Sequence, residues 1–285
     1  MPALLADLQH LACGRLTTVI ALSAVFSIVG LDQSAAGETT CWFENGAVVI
    51  PAEVAGIAGD YVIDPSTPIT LLHNTRAEQA GYGQSELIAE VRLAGRSRTA
   101  VAVRVVDLDE RGYGFVTPIA GVIGADTLAG QVVWLDFSPC RLRLEAAGWG
   151  GPARPGDTVL QLTMRAGLPA VGAAASDDRR AKDGLFAIDW GSAGMVRISE
   201  ARARVLPTVV GSDYARRDLA PARLRALSLA DRLDEQVSAG LISGLDEAYL
   251  GTLGVDYWSR WTVRLDLAEG RLILSDPDSP PPGRP

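Results

Sequence analysis

Two aspartates occupy matching places in this chain of 285 residues. Asp64 closes the apolar run Tyr61-Val62-Ile63 and opens the turn Pro65-Ser66-Thr67, while Asp189 closes Leu185-Phe186-Ala187-Ile188 and opens Trp190-Gly191-Ser192. An aspartate at the end of a buried strand is costly unless hydrogen bonds satisfy it, so each placement needs a reason. Capping the amides of its own turn is the ordinary one. Two such turns facing one another offer a second. Carboxylates that close cannot both ionise readily, so they share a proton and titrate as a pair. One then takes a proton from water while the other donates a hydrogen bond to a carbonyl, which is amide hydrolysis without a metal, a cofactor or a covalent nucleophile.

Other chemistries are poorly supplied. Beyond the N-terminal segment the chain holds Cys41, Cys140 and a lone histidine, His73, too few for a zinc ligand set. His73 is also the sole imidazole for a Ser or Cys nucleophile; Leu71-Leu72 and Asn74 around it form no triad signature, so it is read as a strand-end residue. The formal net charge of -8 disfavours nucleic acid, and the arginines at 202–204 and 216–217 read as solvated faces. Arg15, the apolar run Leu16 to Leu31 and the small residues Ser34-Ala35-Ala36 predict an export signal, or else a retained membrane anchor, with Cys13 incidental to it. The expected location is therefore the periplasm or the exterior. In such an oxidising compartment Cys41 and Cys140 are a reasonable disulfide pair, although nothing in the sequence shows that they meet.

The elements that must position the two aspartates come as a repeat. Gly121-Val122-Ile123-Gly124-Ala125-Asp126 is matched by Gly251-Thr252-Leu253-Gly254-Val255-Asp256, and the same offset of 130 carries Leu135-Asp136 onto Leu265-Asp266 and Arg141-Leu142 onto Arg271-Leu272. Short alternating strands fill the intervals, including a hairpin across Ala89 to Leu108 that turns at Ala94-Gly95-Arg96-Ser97. No βαβ pattern appears, so the prediction is an all-β chain of two homologous barrel lobes about a pseudo-twofold axis with a cleft between them. The leader is placed at 1–36, the first lobe at 37–150 and the second at 151–275. Trp149 to Gly156, rich in Gly and Pro, is the boundary, and 276–285, with three consecutive prolines, is a disordered tail. Asp126 and Asp256 are read as helix N-caps, Asp136 and Asp266 as turn formers, Asp177 to Asp183 as a solvated hairpin tip, and Trp190, Trp258 and Trp261 as core or lobe-interface residues.

An apolar-apolar-Asp-Xaa-Gly-Ser/Thr turn followed some sixty residues later by apolar-apolar-Gly resembles the pepsin and retropepsin superfamily of aspartic peptidases, here a bacterial bilobal member, over about residues 42–275. The resemblance implies an aspartic endopeptidase, acting as a monomer on extended peptide, with Asp64 and Asp189 catalytic. It makes Thr67 and Ser192 the hydroxyls that buttress them, Ser66 and Gly191 the other turn residues, and Gly124 and Gly254 the loops packed behind. It also implies a hairpin folding over the substrate as a flap, for which Ala89 to Leu108 is the candidate. Three positions depart from the pattern. Pro65 and Trp190 replace the hydroxyl residue that ties the two lobes together, and Ser66 stands where the pattern has Gly. These departures support the alternative, a pseudopeptidase that binds peptide or acts as a scaffold without cutting.

Overall fold

The computed structural model describes residues 36–177, 179–202 and 222–278. Residues 1–35 of the expected leader, Arg204, the arginines at 216–217 and residues 279–285 of the expected tail lie outside them, and Ala36, the last expected leader residue, begins the first strand; Asp276 to Asp278 form a turn in which Asp276 accepts from the amide of Asp278.

After β1 (Ala36–Thr40), the first lobe runs β2 (Trp42–Glu44), β3 (Ala47–Val54) and β4 (Ile57–Ile63), which delivers the chain to Asp64. There follow β5 (Thr70–His73), α1 (Asn74–Gln79), β6 (Glu86–Leu93), β7 (Arg96–Val106), α2 (Asp109–Gly112) and β8 (Gly121–Ile123). α3 (Ala125–Leu128), β9 (Gln131–Phe137) and β10 (Cys140–Ala146) lead out of it. The second lobe repeats the scheme with β11 (Thr158–Gln161), β12 (Thr163–Arg165), β13 (Leu168–Ser176), β14 (Ala181–Ile188), β15 (Val196–Ser199), β16 (Ala222–Leu229), β17 (Arg232–Ile242) and β18 (Tyr249–Leu253). α4 (Val255–Trp258), β19 (Thr262–Asp266) and β20 (Arg271–Ser275) close it.

Each lobe is a closed six-stranded barrel. The orders β3-β4-β8-β5-β7-β6 and β13-β14-β18-β15-β17-β16 are the same circuit, closed by β3–β6 and β13–β16, with β2 and β12 as outer edges. β4 and β14 read as unbroken apolar runs at their ends because each lies parallel to a second buried strand, β8 or β18, and is covered on both faces. The barrels share a third sheet, β1-β10-β9-β19-β20-β11.

The symmetry can be read from the register of that sheet. β9 and β19 pair antiparallel with Val133 opposite Leu265 and Leu135 opposite Val263, so Trp134 faces its own repeat mate, Arg264. The pseudo-twofold axis passes between those two residues, where the buried guanidinium of Arg264 lies 4.8 Å from the Trp134 ring centroid. The hairpin turns obey the same axis. Asn45-Gly46 and Ala166-Gly167 all have positive φ, as a two-residue primed turn requires, and each turn abuts the opposite lobe's Asp-turn loop, Gly46 against Ala193 and Gly167 against Pro68.

Several expectations need correction. The hairpin of β6 and β7 does not fold over the aspartates. Its tip at Ala94 packs on Gly37 of β1, and Arg98 donates to the carbonyls of Thr127 and Ala129, which seats the hairpin on the shared sheet. Asp126 and Asp256 are not N-caps; Gly124 and Gly254 hold those places. Each Asp lies two residues further on and ties its helix to the segment after the Asp-turn, Asp126 accepting from the Thr70 hydroxyl and Asp256 from the Gly194 amide. Asp177 is buried rather than solvated, because it accepts the amides of Arg179 and Arg180 that close the β13–β14 turn. Asp266 does form a turn, through the amides of Ala268 and Glu269, but Asp136 instead accepts from the Thr262 hydroxyl of the other lobe. Trp190, Trp258 and Trp261 need no correction: they are buried core residues, as read from sequence.

Candidate active site

Asp64 and Asp189 are 2% and 1% exposed, each at the C-terminal end of a buried strand. The two turns make the same bonds. The Asp64 amide donates to Ile123 O at 2.9 Å and the Asp189 amide to Leu253 O at 3.0 Å, which fixes each turn to its backing strand. One oxygen of each carboxylate accepts from the amide two residues on, Ser66 N at 2.9 Å and Gly191 N at 3.0 Å. The other accepts from the buttressing hydroxyl, Thr67 Oγ1 at 2.8 Å and Ser192 Oγ at 2.6 Å. The backing glycines are required by close backbone approach. A β-carbon on Gly124 would lie 2.7 Å from Thr67 O, and one on Gly254 would collide with Gly194 O.

The turns meet across the axis. A β-carbon on Gly191, whose amide holds Asp189, would lie 2.7 Å from Oδ2 of Asp64, so the two carboxylates face one another over that glycine. The lost hydroxyl tie has a replacement on one side, because Val48 N donates to Trp190 O at 2.8 Å and bonds the first barrel to the second turn. The register places Pro169 at the equivalent of Val48, and with no N–H it cannot return the bond to Pro65. Ser66 adds a donor rather than an obstruction, its hydroxyl reaching Asp64 Oδ1 at 2.7 Å.

Sequence reasoning did not foresee the arginines. Arg111 of α2 donates to Asp64 Oδ2 at 2.6 Å and to Thr67 Oγ1 at 3.3 Å. Arg197 of β15 donates to Asp189 Oδ2, which also accepts from Thr252 Oγ1 at 3.2 Å. A signal for Arg197 exists in the sequence: pairing with β18 puts it level with Leu71 of β5, so a charged residue interrupts an otherwise apolar strand. Arg111 stands far from Asp64 in an exposed connection that has no periodic pattern to break.

The surroundings drive the two carboxylates apart. Burial pushes Asp64 up, but the Arg111 guanidinium and the hydroxyls of Ser66 and Thr67 outweigh it and hold the carboxyl below the usual range. Burial and then the facing charge of Asp64 push Asp189 up, and Arg197 and Ser192 offset them only in part. Asp64 is thus the more readily ionised member and Asp189 the one that holds a proton to higher pH.

Cys41 and Cys140 form a disulfide across a separation of 99 residues. Among the described residues, His73, Asp107 and Asp109 have ligand atoms within 4.8 Å of one another. Two exposed carboxylates beside a histidine were missed when only Cys and His were counted. As the group stands, His73 caps α1 at its strand end, as read from sequence, and its Nε2 lies 3.1 Å from Asp109 Oδ1. No described helix is long and apolar enough to cross a membrane.

No protein-family profile matches the chain, and no curated protein matches it. Among solved structures it is similar to the aspartic proteinase from Irpex lacteus, at a TM-score of 0.53 and 12% identity over 85% of this chain and 97% of that one. It is also similar to the Basic 7S globulin from soybean, at a TM-score of 0.50 and 9% identity over 84% of this chain and 94% of that one. At such identities the likeness is one of fold, and the chain has the bilobal all-β fold of the pepsin-like proteins.

Proposed function

We propose that the chain is an aspartic-type endopeptidase that hydrolyses extended peptide with a water activated between Asp64 and Asp189. The observation that carries this reading is the split between two symmetry-related buried carboxylates that face one another over Gly191. Ionised Asp64 takes a proton from water, and the resulting hydroxide oxygen bonds to the scissile carbonyl carbon. Asp189 gives its proton to the carbonyl oxygen as that bond forms. Collapse of the tetrahedral species expels the amine, which leaves with the proton that Asp64 took up; Asp189 recovers its own from the hydroxyl. The peptide would lie extended in a cleft between the lobes. We further propose that the protein works as an exported monomer, in the periplasm or outside the cell or tethered by its N-terminal segment. The disulfide supports a compartment where thiols oxidise.

A second reading is favoured by one observation, that each carboxylate already carries an arginine. If both pairs persist in the presence of peptide, the chain is a pseudopeptidase that binds strands by backbone pairing. Incubating the full chain with a diverse peptide pool from acid to neutral pH, beside an Asp64→Asn, Asp189→Asn double variant, separates the two. Cleavage by the parent and none by the variant is the expected result; folded parent that cuts nothing at any pH supports the binding module instead.

A further inference from the structure

The duplicated frame shows which arginine belongs to a barrel strand and which to a connection. Arg197 lies within β15, paired to β17 on one side and β18 on the other, so its backbone is fixed in the barrel beside Asp189. Arg111 belongs to the connection between β7 and β8. Register equates Val106 with Ile242 and Gly121 with Gly251, and the chain takes fifteen steps between the first pair of landmarks but nine between the second. The first lobe's connection is thus six residues longer, and the longer stretch brings Arg111 to Asp64.

That stretch is held at its ends and lightly between them. Leu108 and Ile119 are buried anchors, whereas every residue from Asp109 to Pro118 is exposed or half-buried, Tyr113 and Val116 strongly so. Half-buried Phe115 packs on the small core that holds Leu108 and Ile119, and the other tethers are polar and lie near the surface. Asn45 Nδ2 donates to Tyr113 O at 2.8 Å, Val116 N donates to Glu44, and His73 meets Asp109. Helix α2 has four residues and no side-chain cap. The side chain it presents covers Asp64 and also fills the space in front of Gly191, where a β-carbon would lie 2.5 Å from Arg111 Nη2. Water and a peptide carbonyl need that same space.

We propose that the connection carrying Arg111 is a plug on the dyad, and that peptide reaches Asp64 only when the connection swings away on its Leu108 and Ile119 anchors. The inference rests on the peptidase reading for its purpose but not for its test, which follows the chemical accessibility of Asp64 and needs no hydrolysis.

The experiment treats the full chain with a water-soluble carbodiimide and glycine ethyl ester, then measures coupling at Asp64 and at Asp189 by peptide mass spectrometry. Arg111→Ala should couple at Asp64 severalfold faster than the parent, because the space that Arg111 fills in front of Gly191 is then open. Asp189, still guarded by Arg197, should couple at the parent's rate. Arg111→Lys, a cation without the planar fork, should fall between. Asn45→Gly cuts the strap to Tyr113, keeps a residue suited to the positive φ of that turn and leaves Arg111 intact, so it should also speed Asp64 coupling, and it serves if Arg111→Ala does not fold. Equal coupling at Asp64 in the parent and in the folded variants overturns the plug. Faster coupling without peptide cleavage in any of them keeps the plug and removes the peptidase. Cleavage that is lost in the double-Asn variant but no faster in Arg111→Ala keeps the peptidase and removes the plug.

Discussion

Asp64 and Asp189 hang from turns with the same backbone and hydroxyl bonds, yet their charge is balanced by different parts of the molecule. In the second lobe the donors are internal to the barrel. Arg197 and Thr252 stand where the first lobe has Leu71 and Val122, so a polar pair lies beneath Asp189 where the first lobe is apolar. In the first lobe the donors lie outside the barrel strands, Ser66 in the turn itself and Arg111 in the longer connection. The half whose turn reads Asp-Trp-Gly-Ser has a polar pair in its barrel; the half whose turn reads Asp-Pro-Ser-Thr has an apolar one. A turn that looks degenerate by sequence is therefore a complete hydrogen-bonding unit.

The largest expected break between the lobes is at the disulfide. Cys41 N donates to Cys140 O, and the second lobe repeats that bond from Leu162 N to Gly270 O without a covalent link. Cys41→Ser with Cys140→Ser should lower stability by about 4 to 5 kcal/mol, the chain-entropy value for a loop near one hundred residues. Denaturant unfolding of the two proteins measures it; a loss no larger than one backbone hydrogen bond would mean that the shared sheet alone pins the N-terminal strand.

Next come the backing glycines. Gly124→Ala and Gly254→Ala each drive a β-carbon into backbone, so each should cost about 2 to 3 kcal/mol, at the upper end of overpacking penalties. Paired unfolding curves test the equivalence of the turns. A mild loss at one site beside a severe loss at the other would show that only one loop is seated as tightly as the structure has it.

Much of this architecture was legible in the sequence. The gapless offset of 130 exposed the duplication, and the apolar runs into Asp64 and Asp189 marked both turns because a strand buried on both faces has no polar alternation to hide them. What the sequence did not show depends on distance in space. Arg111 reaches Asp64 across 47 residues through a connection whose exposed residues carry no period. The β6–β7 hairpin had the right alternation for a flap, but alternation says nothing about which surface a tip rests on, and the contact with Gly37 is set by the barrel's closure through β3 and β6. Asp126 and Asp256 sat where caps usually sit; the glycines before them took that role because the turn loops crowd the site.

The split dyad predicts opposed pH effects of intermediate size. The folded value of Asp64 lies below its unfolded one, so its contribution is present above the ordinary carboxylate pKa, about 3.9, and is lost as pH falls through the folded value. The folded value of Asp189 lies above its unfolded one, so its contribution is present below about 3.9 and is lost as pH rises through the folded value. Together they make the dyad most stabilising near pH 4. Unfolding midpoints against pH should show Asp189→Asn gaining on the parent as pH rises from there, and Asp64→Asn recovering relative to the parent as pH falls below it. Curves that run parallel to the parent would place both carboxylates in one charge state and remove the basis for calling one a base and the other an acid.

The smallest effect asks whether the asymmetry can be erased at a single atom. Thr252→Val gives the second lobe the residue that Val122 supplies in the first, keeps the shape of a fully buried side chain and removes one of three donors on Asp189 Oδ2. The cost should be about 1 kcal/mol, as for one buried hydrogen bond. With a donor to its charged form gone, Asp189 should titrate still higher while Asp64 moves little. Carbon-13 labelling of the aspartate carboxyls reads both directly by NMR. Val122→Thr is the reciprocal change, setting a hydroxyl beneath Asp64 and pushing that group further down. If neither substitution moves its own aspartate, the strand residues do not tune the dyad, and the difference between the lobes rests on the two arginines alone.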